Sequence, residues 1–398
     1  MTSRRRATRV LVRTVVIAAA TLVSACRRPA KVAVSAGDYV GDGQCLACHT
    51  DKRSYEHTAH QLSSQLPSSR TILGSFREGE NVLRTPNPHL YYRMSARDSG
   101  FFQSAIAGIP PDTVTERFDV VVGAGRKGQT YLYWRGDRLF QLPVSYWVDP
   151  GEWGASPGYR EGVAEFDRPV VPRCLECHAT YATSKPALSA NNRYDRAGLK
   201  LGISCEKCHG PGREHVARQQ STLGRLEGPA IVNPAKLSRA REIDVCALCH
   251  SGIGKETAPA FSYIPGDPLH EYLQTPPPPV GEPIDVHGNQ VALLERSACF
   301  RSSQMTCNTC HDVHVQQRDA AAFSSRCLTC HTVQSCGMEP TLGPKIAEDC
   351  VDCHMAEQTS SVIVSSENGQ PLRVRIRNHW IKVYPGTADP HWQPPTTR

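Results

Sequence analysis

Seven copies of one five-residue pattern constrain this chain more than any other feature. They read "CLACH" (45 to 49), "CLECH" (174 to 178), "CEKCH" (205 to 209), "CALCH" (246 to 250), "CNTCH" (307 to 311), "CLTCH" (327 to 331) and "CVDCH" (350 to 354). With 17 cysteines and 16 histidines in 398 residues, random placement would give roughly 0.03 such matches, so chance does not account for seven. On one helical turn, positions i, i+3 and i+4 share a face. Each copy therefore presents two thiols and one imidazole to the same side.

Two thiols at that spacing suit thioether bonds to the two vinyl groups of a single haem, and the following imidazole then meets the iron from the same side. The pattern predicts seven covalently attached c-type haems. Their anchors are Cys45 and Cys48, Cys174 and Cys177, Cys205 and Cys208, Cys246 and Cys249, Cys307 and Cys310, Cys327 and Cys330, and Cys350 and Cys353. The proximal ligands are His49, His178, His209, His250, His311, His331 and His354. Zinc knuckles explain paired CxxC units but do not require a histidine after every second cysteine. A thioredoxin-like CxxC sits in a βαβ unit, and seven copies would have no purpose.

The composition agrees. The chain has 39 % hydrophobic residues, 30 prolines and 30 glycines, which is a loop-rich chain with a thin aliphatic core that macrocycles would supplement. The first 26 residues read as an export signal: arginines at 4, 5, 6, 9 and 13, the apolar run "VVIAAATLV", then "SAC". "VSAC" fits a bacterial lipoprotein signal, with cleavage before Cys26 and acylation of its thiol; ordinary cleavage after Ala25 also satisfies the small-residue rule. Export suits c-type haem, which is attached outside the cytoplasm. The expected location is the periplasm or cell envelope, with the membrane reached through Cys26. The five leader arginines account for five of the formal +7, leaving +2, so a nucleic-acid-binding surface is not supported. Beyond the motifs and Cys26 only Cys299 and Cys336 remain. They could pair in an oxidising compartment or stay unpaired as structural residues.

Nine histidines lie outside the motifs, enough for every iron to take a second imidazole. His60, His215, His314 and His379 are the first candidates for distal ligands because a short peptide joins each to a motif. His89, His270 and His287 follow, with His57 and His391 as spares. Met338 could replace one histidine and would raise that haem's potential.

The motifs are unevenly spaced. The first and second begin 129 residues apart, whereas later starts lie 20 to 61 apart. We divide the chain into a signal (1 to 26), a first haem segment (27 to 65), a β-rich aromatic module (66 to 171), a hexahaem region (172 to 385) and a tail (386 to 398). Residues 76 to 166 hold 15 of the 27 aromatics and no cysteine. Within them "RFDVVVGAG", "QTYLYWRG" and "RLFQLPVSYW" read as an antiparallel meander. "GAGRKG" matches the GxGxxG dinucleotide fingerprint, but a strand pattern follows where that fingerprint needs a helix, so a hairpin loop is expected. "QTPPPPVGEP" (274 to 283) reads as a polyproline II spacer within the hexahaem region.

"SCEKCHGPGREH" resembles the CxxCH-Gly-Pro-Gly-x-x-His block of exported multihaem cytochromes related to cytochrome c-554 and the hydroxylamine oxidoreductase-like group. "TCNTCHDVH" and "DCVDCHM" resemble the closing blocks of that class. The likeness covers about residues 37 to 65 and 172 to 385. It implies that His215 and His314 ligate neighbouring haems. The fold implied is haem-packed, with short helices, long loops and an inserted antiparallel β-rich module between the first and second motifs. Cytochrome c-554 has four haems, so its haem-by-haem pairing does not transfer to seven. The CxxCK of pentahaem nitrite reductases is absent, and no counterpart of the tyrosine-linked haem of hydroxylamine oxidoreductases is identified. The class implies a relay of single electrons between redox partner proteins in an exported respiratory or extracellular chain. The alternatives are an oxidoreductase acting on a small nitrogen or sulfur compound at one five-coordinate haem, and a scaffold whose β-module docks a partner.

Overall fold

The computed structural model describes residues 34 to 185, 191 to 221, 230 to 275, 283 to 367, 370 to 384 and 386. The signal, Cys26, most of the proline-rich spacer, His391 and the end of the tail lie outside them. Among the described residues no helix is long and apolar enough to cross a membrane.

Ten strands lie between the first and second motifs: β1 (Ser64–Gln65), β2 (Val82–Arg84), β3 (Leu90–Arg97), β4 (Gly100–Ala107), β5 (Asp112–Arg117), β6 (Val120–Val122), β7 (Gly128–Arg135), β8 (Arg138–Gln141), β9 (Val144–Trp147) and β10 (Glu152–Ala155). They form two antiparallel sheets. One runs β2-β3-β4-β5; the other runs β1-β6-β7-β9-β10, with β8 also on β7. In β3, Leu90, Tyr92 and Met94 are buried while Arg93 is exposed, the period of two expected of a sheet with one wet face. Those three pack with Tyr131, Tyr133, Phe118, Val144 and Trp153 in the interior between the sheets. The meander differs from the expected one in its third run. Pro143 cannot donate to a ladder, and the run breaks there into β8, paired along the C-terminal half of β7, and β9, paired with its start. "GAGRKG" forms the loop between β6 and β7, with Gly123 and Gly125 at φ 115° and 70°, so the dinucleotide reading is excluded.

Among the described residues ten α-helices of four to twelve residues carry most of the motifs. These are α1 (Asp42–Leu46), α2 (Pro172–His178), α3 (Cys205–His209), α4 (Arg213–Gln220), α5 (Arg239–His250), α6 (Gln290–Leu294), α7 (Ala298–Arg301), α8 (Ala320–Cys327), α9 (Glu339–Leu342) and α10 (Cys350–His354). Among the described residues three two-stranded antiparallel sheets interrupt them: β11 (Ala179–Tyr181) with β12 (Lys200–Leu201), β13 (Lys255–Glu256) with β14 (Leu273–Gln274), and β15 (Glu357–Glu367) with β16 (Gln370–Arg377). From Ala298 to His354 only Phe300, Ile346 and Val351 are buried hydrophobics. That segment holds three motifs and too little aliphatic surface to pack on its own.

Gly202 seats β12 against the segment that carries His60. Its φ is +71°, and a Cβ there would stand 2.4 Å from the carbonyl oxygen of Gln61. Its N–H donates to Ser64 Oγ (2.9 Å), and its carbonyl accepts from Thr180 Oγ1 (2.7 Å). Gly202→Ala is expected to cost about 2 kcal/mol or more. Thermal unfolding of the haem-loaded protein should show the drop; an unchanged midpoint would refute this role.

Candidate haem-ligand array

Each motif closes a tight turn. The N–H of His49 donates to Cys45 O (2.9 Å), that of His311 to Cys307 O (3.0 Å) and that of His331 to Cys327 O (3.0 Å). The helical bond places the two thiols and the imidazole on one side, as the spacing predicts. Among the described residues no group of three or more His, Cys, Asp or Glu is arranged to hold a metal ion.

Four motif histidines each meet a histidine from outside the motifs, carried on another part of the chain. His49 faces His215, with ring centres 6.4 Å apart and planes at 20°. His209 faces His314 at 6.2 Å and 26°, and His311 faces His379 at 6.2 Å and 21°. His60 meets His250 edge-on at 6.1 Å. A metal about 2 Å from one nitrogen of each imidazole sets the ring centres roughly 6 Å apart. All four pairs have that spacing, and none is in direct ring contact. The residues present fit a bis-histidine haem iron.

Hydrogen bonds orient several of these rings. Nδ1 of His209 lies 2.8 Å from Val232 O, that of His354 3.1 Å from Lys382 O, that of His379 3.2 Å from Arg377 O, and that of His250 3.2 Å from Gln290 Oε1. An Nδ1–H held by an oxygen leaves the Nε2 lone pair for a metal. His60 and His379 are pushed down to about 4, first by burial and then by their partners His250 and His311. Burial likewise lowers His215 and His314, and the facing His49 and His209 add to it. The uncharged imidazole is the ligating form.

The other candidates divide. His287 lies within electrostatic reach of His178, which desolvation and then His287 hold down to about 4. His89 and His270 are exposed, and neither is brought to a motif histidine. His57 is exposed at the end of a turn, and Met338 is the N-cap of α9. His331 and His354 have no opposing imidazole among the described residues. Cys299 and Cys336 are both outside disulfides. Cys299 acts on Cys310 and Cys327, whereas Cys336 acts on Cys350 and Cys353, so each lies beside a different pair of motif thiols.

Thiols also link motifs. Cys45 and Cys205 sit thiol to thiol, as do Cys177 with Cys249 and Cys246 with Cys307. The first motif therefore neighbours the third, the second neighbours the fourth, and the fourth neighbours the fifth. The peptide from His311 to His314 joins the fifth to the third. Sequence reasoning missed the side chains that fasten these junctions. Asp42 Oδ1 accepts the N–H of Cys205 (3.0 Å), while Glu206 accepts those of Val40, Gly41 and Gly212 (2.9, 2.8 and 2.8 Å). Arg173 bonds Glu176 and the carbonyls of Leu248, Gly252 and Ile253. Nothing local in the sequence distinguishes these residues from solvated charges.

The family model for cytochrome c554 and c-prime matches residues 160–210, the stretch that holds the second and third motifs. The match supports a c-type cytochrome with covalently bound haem and a role in electron transfer. No match was found among curated proteins or among solved structures.

Proposed function

We propose that the chain carries seven c-type haems and relays single electrons along them, between donor and acceptor proteins of an exported respiratory or extracellular chain. A lipid on Cys26 would hold it at the membrane. The observation that carries this reading is the set of four imidazole pairs at one spacing, each joining two different parts of the chain. Haem, when bound, would supply a reversible one-electron iron centre; the paired imidazoles would hold it, and short peptides keep neighbouring motifs together. The junctions support a continuous order of second, fourth, fifth, third and first motifs. The sixth and seventh adjoin the fifth through α8, whose Phe323 packs on His311 with ring centres 5.1 Å apart.

The second reading is an oxidoreductase acting on a small nitrogen or sulfur compound. The lack of an opposing imidazole at His331 and His354 among the described residues favours placing any open haem there. A pyridine haemochrome assay with intact mass tests the cofactor count. Seven haems per chain are expected, and fewer would contradict the reading of every CxxCH as an attachment site. Nitrite, hydroxylamine or sulfite should leave the spectra of the oxidised protein unchanged if it is a relay alone. A shifted high-spin ferric signal would move the assignment to the enzyme.

A further inference from the structure

One carboxylate touches both of the segments that bring His49 and His215 together. Glu206 lies inside the third motif, is 2 % exposed, and accepts three backbone N–H groups. Its Oε2 takes that of Gly41 (2.8 Å), the N-cap of α1, from which the chain runs directly through the first motif to His49. Its Oε1 takes those of Val40 (2.9 Å) and of Gly212 (2.8 Å), the N-cap of α4, three residues before His215. Among the described residues Glu206 is in no ion pair, and Lys207 beside it turns to the ring of Phe261 (4.7 Å). The buried charge is therefore compensated by backbone donors from the two ligand-bearing segments, and charge-assisted bonds of this kind are short and strong.

The surroundings are shaped to the same contact. A Cβ on Gly212 would stand 3.0 Å from Val40 Cγ2 and 3.1 Å from Glu206 Oε1, so the last glycine of the Gly-Pro-Gly bend lets the two segments close around the carboxylate. Asp42 returns the contact, its Oδ1 accepting the N–H of Cys205 (3.0 Å). At the rim Arg213 donates to Gly37 O and stands 4.0 Å from Asp38. The third motif's own imidazole is held elsewhere, with Nδ1 of His209 2.8 Å from Val232 O.

We propose that Glu206 is a positioning residue for the iron between His49 and His215, a side chain of the third motif that holds the ligand rings of the first motif's haem. The inference rests on the reading of those two imidazoles as axial ligands. A metal–nitrogen distance is fixed to about 0.2 Å, so the rings share one iron only while α1 and α4 keep their separation. The Glu206 carboxylate holds that separation from both sides, as outer-shell groups orient the ligands of other metal sites. Removing it leaves three amides without their acceptor and frees α4 to carry His215 away. The third motif then serves two irons, one through His209 and the other through Glu206.

The test is carbon monoxide binding to the reduced, full, haem-loaded chain, with EPR of the oxidised form, comparing wild type, Glu206→Ala, His215→Ala and the double variant. Glu206→Ala should raise the carbon monoxide affinity of one haem about tenfold or more and change one low-spin signal, with the haem count at the wild-type value. The double variant should open no haem beyond the one that His215→Ala opens, because both changes act on one site; a general loosening of the fold would add to it. Glu206→Gln keeps one acceptor oxygen and should fall between wild type and Glu206→Ala, and it is read in place of Glu206→Ala should that variant lose haem. A Glu206→Ala protein with wild-type carbon monoxide affinity and EPR, a double variant with a second open haem, or haem loss in both Glu206 variants would overturn the positioning role. His215→Ala with a wild-type spectrum would overturn the ligand reading instead.

Discussion

Replacing His215 with alanine is expected to turn one low-spin haem into a high-spin one while the haem count stays the same. On the proposed reading Cys45, Cys48 and His49 would form one complete anchor on a single turn, so attachment would not need His215. His215 lies six residues after the third motif. The Gly-Pro-Gly bend after His209 starts α4, and α4 sets the His215 ring 6.4 Å from His49 and nearly parallel to it. Truncation removes the second nitrogen from that site and opens a coordination position. The effect should be one whole haem per chain, visible as a new high-spin ferric EPR signal and as binding of carbon monoxide after reduction. Equivalent changes follow for His60→Ala, His314→Ala and His379→Ala at the haems of His250, His209 and His311. A His215→Ala protein whose spectrum matches wild type would remove His215 from the ligand set.

The second large effect is structural. Arg173 and Glu176 form a 2.8 Å ion pair with side chains 7 % and 6 % exposed. Arg173 also ties the second motif to three carbonyls around the end of α5, and Glu176 holds the N–H of Phe261 (2.6 Å), whose φ of 66° is unusual for a side-chain-bearing residue. Arg173→Ala leaves a buried carboxylate without its cation and three carbonyls without a donor. Breaking a buried pair from one side costs about 3–5 kcal/mol. The thermal midpoint should fall by roughly 5 °C or more, and part should return in the double replacement Arg173→Met with Glu176→Leu. A midpoint within 1 °C of wild type, an allowance of about 0.5 kcal/mol or less, would show that the pair is not a fastening.

The motifs were legible because CxxCH encodes its own geometry within one turn, and no tertiary contact is needed to read it. His60, His215 and His314 were legible for a related reason: a short peptide limits where each ring can go. His379 stood on its closeness to the last motif, yet it meets His311 of the fifth, because β15 and β16 return the chain past α10. An Asn-Gly dipeptide at 368 and 369, followed by the alternating run "PLRVRIR", is the local signal for that hairpin. The β2–β5 sheet was equally available in Leu90, Tyr92 and Met94 followed by "DSG". The clamps at Glu206, Asp42 and Arg173 were not legible, since each gains its role from backbone groups many residues away. A charge in a CxxCH turn looks the same in sequence whether it faces water or a neighbouring motif.

The central claim is that a motif imidazole and an imidazole carried on another segment close on a shared iron. Near-infrared magnetic circular dichroism with EPR on the oxidised, haem-loaded full chain measures this directly, because bis-histidine low-spin ferric haem has its own charge-transfer band. The four ring pairs predict at least four bis-histidine haems per chain. Fewer than four, or a spectrum dominated by high-spin haem, would contradict the account.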